Sequence, residues 1–228
     1  MPAQFIELIG RLYKVEADTR LKRTFKSDAD ARRKRLDEFL GGVMVPALNR
    51  LGIEPVGAFE SRLGEFKDVY LLLKHPSAES VVTTDARLRA DEKFLKDGAA
   101  YLELPQDDPL YTRIESTMLL AFDRWPKLAK TDPRSPRIFQ MRIYESHSML
   151  KAAKKREMFN TGGEIDLFLK CGMKPVFFGQ SLVGPILPNL TYMVCFNDTD
   201  EQKAVWDKFK TSPEWKKKRF RKPEQQKW

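Results

Sequence analysis

The most reactive grouping of side chains in the sequence lies at residues 144–147, where a tyrosine, a carboxylate and a histidine are close together. The chain has only one other histidine, His75. A histidine beside a carboxylate can act as a general base or ligate a metal. The alternative is a histidine at a helix start that forms only local hydrogen bonds. We take Tyr144, Glu145 and His147 as the candidate catalytic residues.

A second candidate is a ligand site built on arginines and tyrosines that recur in two predicted strands. Arg11 and Tyr13 alternate in the first strand, as Arg142 and Tyr144 do in a later one. Each pair therefore points to one side of its strand. Such a pair can bind an anionic or aromatic ligand. It can equally be structural, with the arginine paired to a nearby glutamate and the tyrosine half-buried.

Two further residues of this ligand site, Asn160 and Glu164, flank the glycine pair Gly162-Gly163. Glycine lowers the stability of a helix interior, so a pair of them needs a reason. One reason is the approach of a ligand to the backbone. The other, which we favour here and for Gly41-Gly42, is close packing of the helix against a sheet.

The sequence predicts no cofactor and no metal site. It contains no H-E-x-x-H, C-x-x-C or G-x-G-x-x-G motif, so a metalloprotease, a zinc ribbon and a dinucleotide fingerprint are unsupported. Its two cysteines, Cys171 and Cys195, lie among apolar residues. We expect both to be buried free thiols.

The elements that position these residues occur twice along the chain. Phe39 and Pro55 have the same spacing as Phe159 and Pro175. In each copy a helix ends at a glycine shortly before the proline, and two apolar strands and a second helix follow. A strand also precedes each copy.

The repeat predicts an α+β fold of tandem ferredoxin-like β-α-β-β-α-β units. We place the first repeat at 1–124, the second at 137–217 and a flexible basic tail at 218–228. The second repeat lacks its last strand, because the residues after 217 are too polar and too few to form one. The uncovered sheet edge could then bind another copy of the chain or a different protein.

Four stretches, spread over both copies, resemble the NIPSNAP family. They are VPALNRLG (45–52), YESHS (144–148), FNTGGEIDLF (159–168) and SPEWKK (212–217). The resemblance implies a dimeric α/β-barrel fold in which two fused copies form a pseudo-dimer. The wider class includes small monooxygenases, isomerases and haem-binding enzymes. The resemblance provides no catalytic motif that can be carried over.

The charge pattern limits the partners. The net charge is +9, and most of the excess lies in the last fourteen residues. Few aromatic residues accompany these charges, so we predict a solvated tail and no nucleic-acid partner. No apolar stretch is long enough to span a membrane. Without a visible signal peptide, the sequence predicts a cytoplasmic protein.

These observations lead to two functional hypotheses and a weaker third. The first is a NIPSNAP-like binding or interaction module, with a small molecule or a protein as its partner. The second is an enzyme of the monooxygenase or isomerase type with a pocket near Tyr144, Glu145 and His147. The third is haem binding through a histidine.

Overall fold

The chain forms two compact units in a computed structural model. The first unit comprises 5–118, and the second comprises 119–228 together with 1–4. The structure describes residues 4–10, 29–62, 68–111, 113–131 and 137–219. Arg11, Tyr13 and residues 220–228 of the predicted basic tail lie outside these ranges.

The first unit has four strands and four α-helices among its described residues. They are β1 (Phe5–Gly10), α1 (Ala29–Phe39), α2 (Val45–Arg50), β2 (Val56–Glu60), β3 (Val69–His75), α3 (Ala78–Arg89), α4 (Glu92–Leu102) and β4 (Glu115–Ala121). The strand order is β2-β3-β1-β4. The last residues of β4 belong to the second unit. A core rich in leucines and aromatic residues lies between the sheet and the helices.

The glycine pair at 41–42 lies in a π-helical turn, Leu40–Met44, that joins α1 to α2. A Cβ atom added at Gly41 or Gly42 would meet nothing within 4 Å. Close packing against the sheet, which we predicted, is therefore wrong as the reason for these two glycines. The prediction at the helix end is correct, since Gly52 has φ of +75°, a conformation that favours glycine.

The second helix predicted for the first copy is divided between α3 and α4. Ser77 caps α3, because its Oγ accepts a hydrogen bond from the Ser80 amide at 3.1 Å. Asp91 caps α4 in the same way, accepting from the Phe94 amide at 3.0 Å. Asp91 also accepts from Arg50 at 2.6 Å. A cap and an ion pair at one aspartate thus start a new helix within a polar run.

The second unit repeats the arrangement. Its elements are β5 (Ile138–Glu145), α5 (Met149–Asn160), α6 (Glu164–Cys171), β6 (Lys174–Val183), β7 (Asn189–Phe196), α7 (Thr199–Thr211) and α8 (Pro213–Arg219). Its strand order is β6-β7-β5, and the end of β4 lies beside β6. Between Phe196 and residue 219, where the description of the chain ends, there is no further strand.

The glycines between α5 and α6 act through the backbone. Gly163 has φ of +75° and Gly172, at the end of α6, has φ of +96°. A Cβ atom on Gly162 would lie 2.6 Å from the Met158 carbonyl oxygen. The close contact is thus with the preceding helical turn and not, as we predicted, with the sheet.

The first unit has the complete strand order of a ferredoxin-like unit, and the described part of the second has three of the four strands. The predicted fold class of tandem repeats is confirmed. Within the described ranges, no helix is long and apolar enough to cross a membrane.

Candidate functional site

The first unit encloses a cavity of about 640 Å³ between its sheet and its helices. The sheet contributes Ile9, Leu71 and Leu73, and helices α1 to α4 contribute mostly apolar side chains. Small-molecule sites in proteins have volumes of roughly 300–1,000 Å³ and are predominantly apolar. The cavity therefore has the size and lining of a ligand site.

Glu7 is the one buried charged residue among the described residues that line this cavity. It lies on β1 directly opposite Leu73 of β3, and Ile9 lies opposite Leu71. Because side chains alternate along a strand, these residues share the face of the sheet that carries the cavity. Glu7 is only 7% exposed. A buried carboxylate is costly unless other groups compensate for it.

His75, at the end of β3, provides part of that compensation. Its Nε2 atom lies 3.1 Å from Oε2 of Glu7, and its Nδ1 atom lies 3.1 Å from Oγ of Ser80. The Ser80 hydroxyl also accepts a hydrogen bond from Nη1 of Arg87 at 3.3 Å. On the other side, Ser116 of β4 donates to Oε1 of Glu7 at 2.5 Å.

The donors and acceptors of this cluster fix the direction of its hydrogen bonds. Arg87 can only donate, so the Ser80 hydroxyl is left to donate its proton to Nδ1 of His75. In neutral His75 the ring proton then resides on Nε2, facing Glu7. Yet neither Nε2 of His75 nor Oε2 of Glu7 completes a hydrogen bond despite their short separation. Oε2 of Glu7 therefore keeps an unused lone pair, but the atom is itself buried, so a ligand donor can reach it only if a neighbouring side chain moves.

Polar and apolar groups both occur where the cavity meets solvent. Asp85 and Arg89 of α3 form an exposed ion pair at 2.7 Å, whereas Val82 is apolar and 74% exposed. The pKa of Tyr111 is raised, first by burial and then by the Asp85 carboxylate. The site thus combines an apolar interior, one buried acceptor and a more polar rim.

In the second unit, three of the predicted site residues surround Tyr192. The hydroxyl of Tyr144 lies 3.2 Å from that of Tyr192. Arg142 lies over the Tyr144 ring, 5.3 Å from its centroid, and over the Trp206 ring at 4.8 Å. The pKa of Tyr192 is raised, mainly by burial, then by Tyr144 and, more weakly, by Glu164. Tyr192 belongs to the buried core of this unit, and the partly buried rings of Tyr144 and Trp206 pack against that core.

The other predicted site residues are not brought into this cluster. Glu145 and His147 are exposed. Asn160 accepts a hydrogen bond from the Arg124 amide at 2.8 Å and lies 3.4 Å from the Asp123 carboxylate. Asn160 thus fixes the loop after β4.

Sequence reasoning missed Glu7 and His75 as a site. The two residues are far apart in the sequence, and only the β1–β3 pairing brings them together. The sequence did contain one indication of this site. Each of the two is a titratable residue in a strand whose other residues are mostly apolar. Such a residue must be buried with a partner or face a cavity.

Within the described part of the chain, no group of three or more His, Cys, Asp or Glu side chains could hold a metal ion. Both cysteines are buried free thiols, and burial raises the pKa of each. His75 does not fit an axial haem ligand, because both of its ring nitrogens already face other side chains.

Comparison with known proteins gives one solved structure with a similar fold and a family model that matches the second repeat. A crystal structure described as a "Putative Chlorite dismutase" is similar with a TM-score of 0.53 at 12% identity, over 94% of this chain and 89% of that chain. A heme-binding protein from Thermus thermophilus matches with a TM-score of 0.40 at 14% identity, over 94% and 85%. No curated protein sequence matches the chain. The NIPSNAP family model matches residues 139–227. The predicted resemblance to the NIPSNAP family is thereby confirmed over the second repeat.

Proposed function

We propose that the protein is a binding module whose first unit takes up a predominantly apolar small molecule carrying one hydrogen-bond donor group. The observation that carries this proposal is the position of Glu7, a buried carboxylate at the wall of a cavity of about 640 Å³. The apolar lining supports binding of a hydrocarbon or ring system through burial of its surface. The carboxylate supports recognition of an amine or a hydroxyl group.

The chemistry of Glu7 also indicates what the site should reject. A protonated ligand amine would donate a charge-assisted hydrogen bond to Oε2, which is stronger than a bond between neutral groups. A ligand carboxylate of the same length would face a like charge in a poorly solvated place. We therefore expect the site to bind the amine most tightly, the alcohol less tightly and the carboxylate most weakly.

The enzyme alternative near Tyr144, Glu145 and His147 has less support. It needs these three side chains to act on one substrate, but the partly buried Tyr144 packs against the aromatic core while the other two are exposed. Binding of a ligand at Glu7, in contrast, does not require a set of catalytic side chains.

The test is competition for the cavity by three ligands that differ only in head group. N-phenyl-1-naphthylamine serves as the fluorescent probe, and decylamine, decanol and decanoate displace it. In the wild-type protein, decylamine should bind at least about 10-fold more tightly than decanoate, a difference of about 1.4 kcal/mol. The variant Glu7→Gln should bind decylamine about 10-fold more weakly, because a charge-assisted bond becomes a neutral one.

The matched control is Glu38→Gln, which removes an exposed carboxylate of the same unit that lies 4.0 Å from Lys34. It should leave all three affinities within about twofold of wild type, because exposed pairs of this kind contribute little. An equal preference for the three ligands in the wild type, or an unchanged decylamine affinity in Glu7→Gln, would refute the proposal.

A further inference from the structure

The two units differ at one edge of their strand order. In the first unit, β1 lies between β3 and β4. Its counterpart in the second unit, β5, pairs with β7 on one side. On its other side it has no neighbouring strand within the described ranges. The second unit thus has, among its described residues, no strand beside β5 that corresponds to β4 beside β1.

The edge of β5 is well formed for pairing with another strand. Its register with β7 is continuous from Ile138 opposite Phe196 to Glu145 opposite Asn189. It contains no proline and no bulge, which are the devices that commonly block an open edge. Eight residues of regular strand also exceed the five of β2 at the opposite end of the first unit's strand order.

We propose that this edge pairs antiparallel with β5 of a second copy, about a two-fold axis at Met141. In an antiparallel pair, opposite residues point to the same face, so the axis must pass through a residue and not between two. With the axis at Met141, Arg137 of each copy lies opposite Glu145 of the other. Phe139 then lies opposite Ile143, an aromatic side chain against a β-branched one.

The neighbouring registers are less favourable. An axis at Arg142 would place the two copies of Arg142 directly opposite each other, and like charges in that position are destabilising. An axis at Gln140 would place Arg137 opposite Ile143 and leave Glu145 without a strand residue facing it. Only the Met141 register forms two opposite-charge pairs, one at each end of the interface.

The exposure of the strand agrees with this assignment. Ile143 is 41% exposed, and Glu145 is exposed as well. Pairing would cover Ile143 and add a second ladder of backbone hydrogen bonds along β5. The inference is independent of the cavity in the first unit, so either proposal can fail without the other.

A cysteine at the axis tests the register directly. In Met141→Cys the two copies of residue 141 should have Cα atoms roughly 4.5–5.5 Å apart, a distance that a disulfide can bridge. Mild oxidation of the full-length chain should therefore yield a covalent dimer. The matched control, Ile143→Cys, places the two cysteines four residues out of register, about 13 Å apart along the strands, and should not cross-link. The native cysteines are buried and free.

Charge exchange provides the second test, by light scattering after size-exclusion chromatography. The wild-type chain should have twice the mass of one copy, whereas Arg137→Glu and Glu145→Arg should each shift the protein towards monomer. The double variant should recover the dimer, and Lys203→Glu, an exposed charge reversal on α7, should remain dimeric. A monomeric wild type, as expected if the chain's own tail covers the edge, would overturn the proposal. So would a dimer that neither single reversal weakens, or equal cross-linking at residues 141 and 143.

Discussion

Replacement of Phe159 with alanine should lower the free energy of unfolding by about 3–5 kcal/mol, the range measured for fully buried aromatic residues. Phe159 is fully buried. Its ring lies 5.6 Å from that of Tyr192 and 5.9 Å from that of Phe168, measured between centroids. Removing it leaves a cavity that these large rings cannot easily fill.

Urea unfolding followed by tryptophan fluorescence measures this effect. Leu150→Ala, on the same helix, is the matched control because Leu150 is 79% exposed. It should change the free energy of unfolding by no more than about 0.5 kcal/mol. A loss below about 1 kcal/mol for Phe159→Ala would show that the aromatic cluster is not the core of the second unit.

The second large effect concerns His75. The variant His75→Leu should lower the free energy of unfolding by about 2–4 kcal/mol, because it leaves the buried Glu7 carboxylate with Ser116 alone. Adding Glu7→Leu removes the uncompensated carboxylate and should recover at least half of the loss. Buried polar pairs can often be replaced by apolar residues at little cost in stability.

This double-mutant cycle separates stability from function. His147→Leu, at the exposed histidine, is the control and should stay within about 0.5 kcal/mol of wild type. If the losses at Glu7 and His75 simply add, the two residues are not coupled and the cluster we describe is wrong. If the double variant is stable but no longer prefers decylamine, the pair serves binding and not folding.

Much of the fold could be predicted because it depends on local patterns. Gly52 and Gly172 both have the positive φ that the helix ends required, and Ser77 and Asp198 both cap the helices that follow them. The division at Asp91 was missed because the surrounding run is polar and helix-compatible. The division depends on a contact between Asp91 and Arg50, which is far away in the sequence.

The site was harder to predict because it depends on pairing between distant strands. Glu145 and His147 drew attention as neighbours in the sequence, yet both are exposed. Glu7 and His75 are separated by most of the first unit and meet only through the register of β1 with β3. Arg142, Tyr144 and Glu164 were brought together around Tyr192, but Tyr192 itself is a buried residue of the packed core. Chemistry at a buried strand can be recognised only once its partner strand is known.

The most direct test of the account is a crystal structure of the protein with decylamine bound. We predict that the amine nitrogen lies about 3 Å from Oε2 of Glu7, at hydrogen-bond distance, with the alkyl chain along Leu71 and Leu73. A cavity filled by the protein's own side chains, or an amine bound at Asp85 on the rim instead of at Glu7, would contradict it.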